Sequence, residues 1–292
     1  MMKSLLLTWL VMCLSLTFFS CKKDSRDTAE PITEAEAEEY SLESMEAEAS
    51  FDDIQDISLT AAEELGLATA PKPGTAGRLF PFLKLKLRIG TSAVITVTPD
   101  DTTYPKTVTI DFGDGDNCPD GRFRKGKIIL HFTAPVREPG AVITITLEDF
   151  QVGRVKVEGT KVITNLSENG NIKYSVVISD AKVIWPGGKG FIYEKLKYIS
   201  QIEGSTTDDI LDDVYAIEGY AKTTFRNGVT TTIAIKDALI KKVICPWISE
   251  GVLQVNVRNH EFLLDYTYPG NGDCDNKALL KWKNRERIVV IP

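Results

Sequence analysis

Residues 107–132 read TVTIDFGDGDNCPDGRFRKGKIILHF: an alternating segment, an acidic loop and a second alternating segment. A related pattern, EFLLDYTYPGNGDCDNKALLKW, returns over residues 261–282. In both copies a strand-like run closes on Asp-aromatic, and a loop of Gly, Asp and Asn holding one cysteine follows. Alternation with β-branched residues is typical of a strand that has one buried face and one face in water. Both stretches therefore predict antiparallel hairpins.

Period-two segments rich in Val, Ile, Thr and Tyr continue through the rest of the chain. Turn signals separate them, and the strongest are Asn169-Gly170 and Asn227-Gly228, because both turn residues need positive φ. No stretch keeps a helical period beyond a turn or two, which argues against parallel βαβ units. The sequence predicts an all-β fold, a long antiparallel meander of repeated hairpins. A sandwich, an open barrel and an extended sheet all fit the pattern.

Four dipeptides return after about sixty residues, which indicates that the same hairpins recur. The pairs are Glu158-Gly159 with Glu218-Gly219, Asn169-Gly170 with Asn227-Gly228, Asp180-Ala181 with Asp237-Ala238, and Trp185-Pro186 with Cys245-Pro246. Trp185 and Trp247 fall at comparable points of this repeat. Their rings could stack on sugar rings, or they could pack in the core.

The first twenty residues have the pattern of a secretory signal, with Lys3 before an apolar run that is too short for a comfortable membrane span. The run ends in LTFFSC, which resembles the lipobox of bacterial lipoproteins. The resemblance implies that residues 1–20 are removed and that Cys21 carries the lipid. We therefore expect an outer-membrane lipoprotein, facing the periplasm or the cell surface, with the membrane as a partner through the anchor.

Residues 24–66 hold 15 Asp or Glu and one Arg, a net charge of −14, whereas the whole chain is at −7. Low hydrophobicity with high net charge predicts disorder, because such a segment buries too little apolar surface to offset chain entropy. We expect an acidic disordered tether over residues 21–77 and an all-β domain over residues 78–292. One short helix over residues 60–65 is predicted by the capping-box spacing of Thr60 and Glu63.

Two local patterns carry further resemblances. IDFGDG at residues 110–115, followed by EPGAVITITL at residues 138–147, is similar to parts of PKD modules, which implies an immunoglobulin-like sandwich used as a spacer or adhesion unit. Over the full body, residues 111–128 and 272–278 resemble a family of Bacteroidota cell-envelope lipoproteins that has no established activity. The second resemblance supports the cellular address and fold class and implies no chemistry.

Three cysteines remain in the mature body, and an extracytoplasmic address permits disulfides. A Cys245–Cys274 bridge is favoured, because a hairpin over residues 252–266 would place both at one end of the sheet. A Cys118–Cys274 bridge is the alternative if the first and last strands meet. The loop carboxylates Asp114, Asp116 and Asp120 could bind Ca²⁺, although the loop lacks the EF-hand pattern and its residues also suit a tight turn.

The sequence favours a non-catalytic binding, structural or adhesive module. It has two histidines, His131 and His260, and no nucleophile elbow. A glycan or another envelope protein is the expected partner, and no nucleic acid is expected. The alternating basic residues of 122–127 predict a solvated strand face. Two alternatives stay open: a carboxylate-based extracytoplasmic hydrolase acting on glycan, and a carrier of a lipid or envelope component with an apolar trough.

Overall fold

The computed structural model describes residues 32–67, 85–188, 190–207, 210–245 and 247–290. All of them belong to one compact unit, Ile32–Pro292. The expected signal segment, residues 1–20, and the expected lipid attachment point, Cys21, lie outside the described residues. No helix in the described ranges has both the length and the apolar character to cross a membrane.

Within the described residues, this unit has fourteen strands and two α-helices, with a short 3₁₀ turn at Ile210–Asp212. The helices are α1 (Glu34–Glu64) and α2 (Leu85–Ile89). The strands are β1 (Val94–Thr98), β2 (Lys106–Asp111), β3 (Asp116–Asn117), β4 (Phe123–Phe132), β5 (Val142–Val152), β6 (Val155–Asn165), β7 (Lys173–Ile184), β8 (Gly190–Glu203), β9 (Val214–Phe225), β10 (Thr230–Lys242), β11 (Glu250–Val257), β12 (His260–Asp265), β13 (Lys277–Trp282) and β14 (Arg285–Val290).

The strands form a single antiparallel sheet in which neighbours in sequence are neighbours in space. Only the two-residue β3 leaves this path, and it pairs with β4. The predicted all-β meander is confirmed, and its form is one continuous sheet that begins at β1 and ends at β14. The two segments that resemble PKD modules, residues 110–115 and 138–147, fall in and around β2 and β5, which belong to this one sheet.

The recurring dipeptides mark equivalent hairpins, β6–β7 and β9–β10. Gly159 has φ 129° and Gly219 has φ 144°, and each lies where the register with the next strand shifts. The repeat advances the chain by three strands. Because neighbouring strands are antiparallel, the two copies run in opposite directions and their turns lie at opposite ends of the sheet.

The predicted disorder is wrong for residues 34–64, which form α1. Thr33 caps this helix: its hydroxyl accepts from the Glu36 amide at 3.3 Å, and the Glu36 carboxylate accepts from the Thr33 amide at 2.7 Å. The helix of 31 residues is about 46 Å long. The predicted helix start at Thr60 is also wrong, because Thr60 lies in the last turns of α1. The remainder of the expected tether, residues 21–31 and 68–77, lies outside the described residues.

The sheet curls around the second half of α1. Between residues 50 and 62, every side chain is buried except those of Asp52 and Asp56, which are half-buried. A helix turns 100° per residue, so burial along thirteen consecutive residues requires cover on all sides. The sheet supplies most of this cover, through β4, β10 and β11 among other strands, and α2 adds to it. Phe51, Ile54 and Ile57 of α1 thus belong to the main hydrophobic core.

One row of side chains shows the character of the inner sheet face. Strand pairing aligns eleven residues across the sheet, nine of them apolar and two of them lysines. The row is Val97, Val108, Leu130, Ile145, Lys161, Ile178, Lys195, Ala221, Ile233, Val255 and Phe262. The inner face is therefore an apolar surface that carries buried cations.

Candidate functional site: the charged interface between helix and sheet

The first part of this interface is a lysine site formed by Lys161 on β6 and by Lys195 and Lys197 on β8. Lys161 pairs with Ile178 of β7, which in turn pairs with Lys195. The two lysine backbones are thus two strands apart, about 10 Å. The side chain of Lys161 is 2% exposed and that of Lys195 is 4% exposed. Lysines so deeply buried need anionic partners.

Two carboxylates of α1 provide those partners. The Asp52 Oδ1 atom lies 3.9 Å from Lys161 Nζ, 3.6 Å from Lys195 Nζ and 3.7 Å from Lys197 Nζ. Glu48 forms an ion pair with Lys195. These two acids are one helical turn apart, so they share a face of α1, and both form an ion pair with Lys195.

Neutral groups complete the site. The Tyr193 hydroxyl donates to Glu48 Oε2 at 2.8 Å, and Lys161 Nζ donates to the Phe51 carbonyl oxygen at 2.8 Å. The Phe51 and Tyr193 rings stack with their centroids 5.4 Å apart. The lysine site is therefore continuous with the aromatic part of the core.

The pKa values of Lys161 and Asp52 both shift in the lysine site. Burial lowers the pKa of Lys161 to about 7, and the opposing attraction of Asp52 only partly offsets it. Burial would raise the pKa of Asp52, but Lys195, Lys197 and Lys161 outweigh burial and hold that pKa well below its usual range. Asp52 Oδ1 is buried and forms no hydrogen bond, although 39% of the Asp52 side chain is exposed. Solvent or a small group therefore reaches one side of this carboxylate.

The second part is an arginine site around Asp53 of α1. Asp53 is 1% exposed and accepts from Arg124 Nη2 at 2.9 and 3.1 Å and from Arg88 Nη2 at 2.6 Å. The Nη1 atom of Arg122 lies 3.0 Å from the same carboxylate. Arg124 is fully buried and also donates to both oxygens of Asp120, at 2.9 and 2.7 Å. This cluster ties α1 to β4 and α2.

The arginine site corrects the prediction of a solvated basic face over residues 122–127. Lys125 and Lys127 do lie on the outer side, but Arg124 points inward. A glycine with positive φ, Gly126, accompanies a register shift between β4 and β5. Burial nevertheless alternates without a break along β4, so Arg124 lies on the same inward face as Ile128 and Leu130, as period-two counting would place it.

The predicted Cys245–Cys274 disulfide is confirmed, with the two Cα atoms 5.5 Å apart. The alternative bridge is wrong, because Cys118 is a buried free thiol. Burial raises the pKa of the Cys118 thiol, and Arg124 beside it opposes that shift. A buried thiol of raised pKa is poorly reactive.

The three predicted calcium ligands do not fit a common Ca²⁺ site. Asp120 turns inward to Arg124, and Asp116 accepts from the Asn117 amide at 2.7 Å. The Asp114 side chain is fully exposed. Among the residues that the structure describes, no group of three or more His, Cys, Asp or Glu is placed to hold a metal ion.

The two tryptophans do not form one stacking platform. Trp185 follows β7 and Trp247 follows β10, and the reversed direction of the repeat puts them at opposite ends of the sheet. Trp185 packs against Phe191 with the ring centroids 5.1 Å apart. Trp247 is half-buried, and its carbonyl oxygen accepts from Lys241 at 3.4 Å. Binding of a sugar by these rings stays a prediction.

The first turns of α1 meet the sheet through more exposed contacts. Glu34 accepts from the Trp282 indole nitrogen at 2.7 Å and from Arg285 at 3.0 Å, and Glu38 accepts from Arg287 at 3.1 Å. Beside this end of the helix lies a cavity of 300 Å³ whose lining includes His260, Phe262 and Trp282. Solvent screens these exposed ion pairs, so this end of α1 is held less firmly than the middle.

No protein-family model matches the chain, and searches of curated proteins and of solved structures also found no match.

The residues of the lysine site were missed by sequence reasoning. The sequence did contain a signal for them. Lys195 comes two residues after Tyr193 and four after Phe191, so all three side chains fall on the buried face of β8. Lys161 comes two residues before Ile163 and falls on the buried face of β6. Inward-phased lysines together with a separate acidic segment would have indicated an internal ion-pair interface.

Proposed function

We propose that this protein is a non-catalytic binding protein of the cell envelope, anchored through Cys21, that holds an apolar ligand against the inner face of its curled sheet. In this proposal α1 occupies the ligand's place in the structure described here. The observation that supports it is the mixed interface of α1, which sets polar and acidic side chains against an apolar sheet face with buried cations. In this proposal an apolar or lipid-like component of the envelope takes the place of the glycan or envelope protein that the sequence led us to expect as the partner.

The topology allows α1 to leave without breaking the sheet. Each long strand pairs with its neighbour in sequence, and α1 precedes all of them. No backbone pairing between strands depends on the helix. The C-terminal end of α1 is retained by the Leu67 carbonyl oxygen, which accepts from the Val136 amide at 3.1 Å. The N-terminal end, with its exposed ion pairs, is the end that would swing.

The polar side chains buried between α1 and the sheet also support the replacement of α1 by a ligand. Ser44, Ser50, Gln55 and Ser58 of α1 are buried. Gln55 Oε1, and Thr223 Oγ1 and Thr231 Oγ1 on the sheet, are buried without a hydrogen-bond partner. Each such atom costs about 1–3 kcal/mol. A permanent core built of well-packed apolar residues would avoid this cost, since replacing buried polar pairs by apolar residues is often neutral or stabilising.

The test locks the N-terminal end of α1 in place. The side chains of Glu38 and Arg287 are half exposed, and Arg287 Nη2 lies 3.1 Å from Glu38 Oε1. In the full chain carrying Glu38→Cys and Arg287→Cys, a short, cleavable bis-maleimide can therefore link the two cysteines. A matched control joins Glu194→Cys and Lys222→Cys, which pair across β8 and β9 on the outer face. Binding of a fluorescent long-chain fatty acid is then measured.

We expect the fatty acid to bind the control protein and the uncross-linked protein, and to lose most of its binding when α1 is locked. Cleavage of the cross-linker should restore binding. Equal binding in the locked and control proteins would show that α1 does not occupy the ligand site. No binding of this or a neutral long-chain probe to any form would overturn the proposed function itself.

A further inference from the structure

We infer that the lysine site is the subsite for the anionic head group of an amphiphile, a carboxylate or phosphate, and that Asp52 and Glu48 of α1 occupy it as internal substitutes. This inference deepens the proposed function and rests on it. It assigns a ligand class and a position on the inner face of the sheet.

The three lysine side chains converge on one point of the inner sheet face. Three ammonium groups lie 3.6–3.9 Å from a single oxygen, Asp52 Oδ1. That oxygen forms no hydrogen bond, although Lys161 also donates to the Phe51 carbonyl oxygen and Lys195 to Glu48. The point on which the three cations converge therefore holds an acceptor that none of them reaches at hydrogen-bond distance. An anion with two or three oxygens could accept from several of these donors at hydrogen-bond distance.

The surroundings fit the remainder of an amphiphile. Within the aligned row, Ile145 and Ile178 flank Lys161, and Ile178 and Ala221 flank Lys195. A head group at the lysines would thus have apolar surface on both sides for a hydrocarbon chain. Burial of such a chain contributes about 0.8 kcal/mol per CH₂ group.

Charge balance explains why a neutral ligand would be disfavoured. When α1 withdraws, Glu48 and Asp52 leave with it, and Lys161, Lys195 and Lys197 remain on the apolar face without these partners. Unpaired charges in such a place are costly. A ligand that brings its own negative charge removes that cost, whereas an alcohol of equal chain length does not.

The experiment measures binding to the full chain of three probes of equal chain length: an alkyl carboxylate, an alkyl phosphate and an alkyl alcohol. The variants are Lys195→Met and Lys197→Met, with Lys195→Arg as the charge-conserving variant. Lys182→Met is the matched control, because Lys182 is an exposed lysine on the outer side of β7. Circular dichroism of each variant establishes that the sheet is intact.

We expect the carboxylate, the phosphate or both to bind about 10- to 100-fold more tightly than the alcohol, the range expected for charge-assisted hydrogen bonds. Lys195→Met and Lys197→Met should reduce anion binding by a similar factor and should not weaken alcohol binding, since each removes a cation that the alcohol would leave unpaired. Lys195→Arg should retain most of the affinity, and Lys182→Met should have no effect. A comparison of the two anions identifies the head group.

Two outcomes would overturn the inference while leaving the proposed function intact. One is equal binding of alcohol and anions. The other is an equal effect of Lys182→Met and Lys197→Met, which would mean that surface charge alone attracts the anions. Should Lys195→Met fail to fold, Lys197→Met decides the matter, because Lys197 is less buried and its replacement leaves the Lys195–Glu48 pair in place.

Discussion

Replacement of Asp53 by Asn tests whether the arginine site holds α1 in the sheet. The substitution keeps the shape of the side chain and removes its charge. Arg124, Arg88 and Arg122 would then face one another, with Asp120 and Asp56 as the remaining acids nearby.

The size of the expected loss of stability follows from the burial of the Arg124–Asp53 pair. Arg124 and Asp53 are 0% and 1% exposed, so removal of the Asp53 charge leaves a buried cation that keeps Asp120 and loses its other anion. Loss of one partner of a buried ion pair costs about 3–5 kcal/mol. The Asn oxygen still accepts one hydrogen bond, which places the expected loss near the lower end, about 3 kcal/mol.

The assay is urea denaturation of the full chain, and Glu148→Gln is the matched control. Glu148 pairs with Lys127 at 3.0 Å on the exposed face, and the chemical change is the same. Solvent screens an exposed pair of this kind, so its loss should have only a small effect on stability. Two probes separate loss of the helix from loss of the sheet: strand circular dichroism, and the fluorescence of Trp282, whose indole nitrogen donates to Glu34 of α1.

We expect Asp53→Asn to lower the free energy of unfolding by several times the effect of Glu148→Gln. An Asp53→Asn loss no larger than that of the control would refute the reasoning, because it would mean that buried charge does not secure α1. A change in Trp282 fluorescence before the loss of strand signal would show that α1 separates from an intact sheet.

Three further predictions concern the disulfide, the bulges and pH. Reduction of Cys245–Cys274, which are 29 residues apart, should cost about 3–4 kcal/mol, checked by urea denaturation with and without reductant; an unchanged midpoint would contradict it. Gly159→Ala should destabilise the sheet by more than Gly170→Ala. A Cβ at Gly159 would lie 2.5 Å from the Ala181 Cα, whereas a Cβ at Gly170 would have no atom within 4 Å. Equal melting temperatures of the two variants would rule this out. The pKa of Lys161 is about 7 in the folded protein and near 10.5 when unfolded, so the unfolded chain binds more protons in that window and stability should rise from pH 7 to pH 10.5. Lys161→Met should flatten this rise in denaturation curves recorded across the window, and an unaltered slope would contradict the assignment.

Local rules account for the parts of the fold that depend on neighbouring residues. Alternation and Asn-Gly turns predicted the hairpins, since strand faces and turn conformations are chosen within a few residues. The Cys245–Cys274 pair was also within reach, because the hairpin between β11 and β12 returns the chain to one end of the sheet. The inward direction of Arg124 was within reach as well, because Arg124 has the same phase along β4 as Ile128 and Leu130. Its partner Asp53 lies 71 residues earlier, and no local count reveals that pairing.

The sequence by itself determined an all-β meander, its recurring hairpins and its disulfide. Only the tertiary structure decided the fate of the acidic segment. By composition residues 34–64 look soluble and unfolded, because their charges repel one another when taken alone. Their compensating cations lie far along the chain, as in Asp53–Arg124 at a separation of 71 residues and Glu48–Lys195 at 147. Once the sheet brings those lysines and arginines onto its inner face, the same acidic residues become the partners that hold a helix in its core.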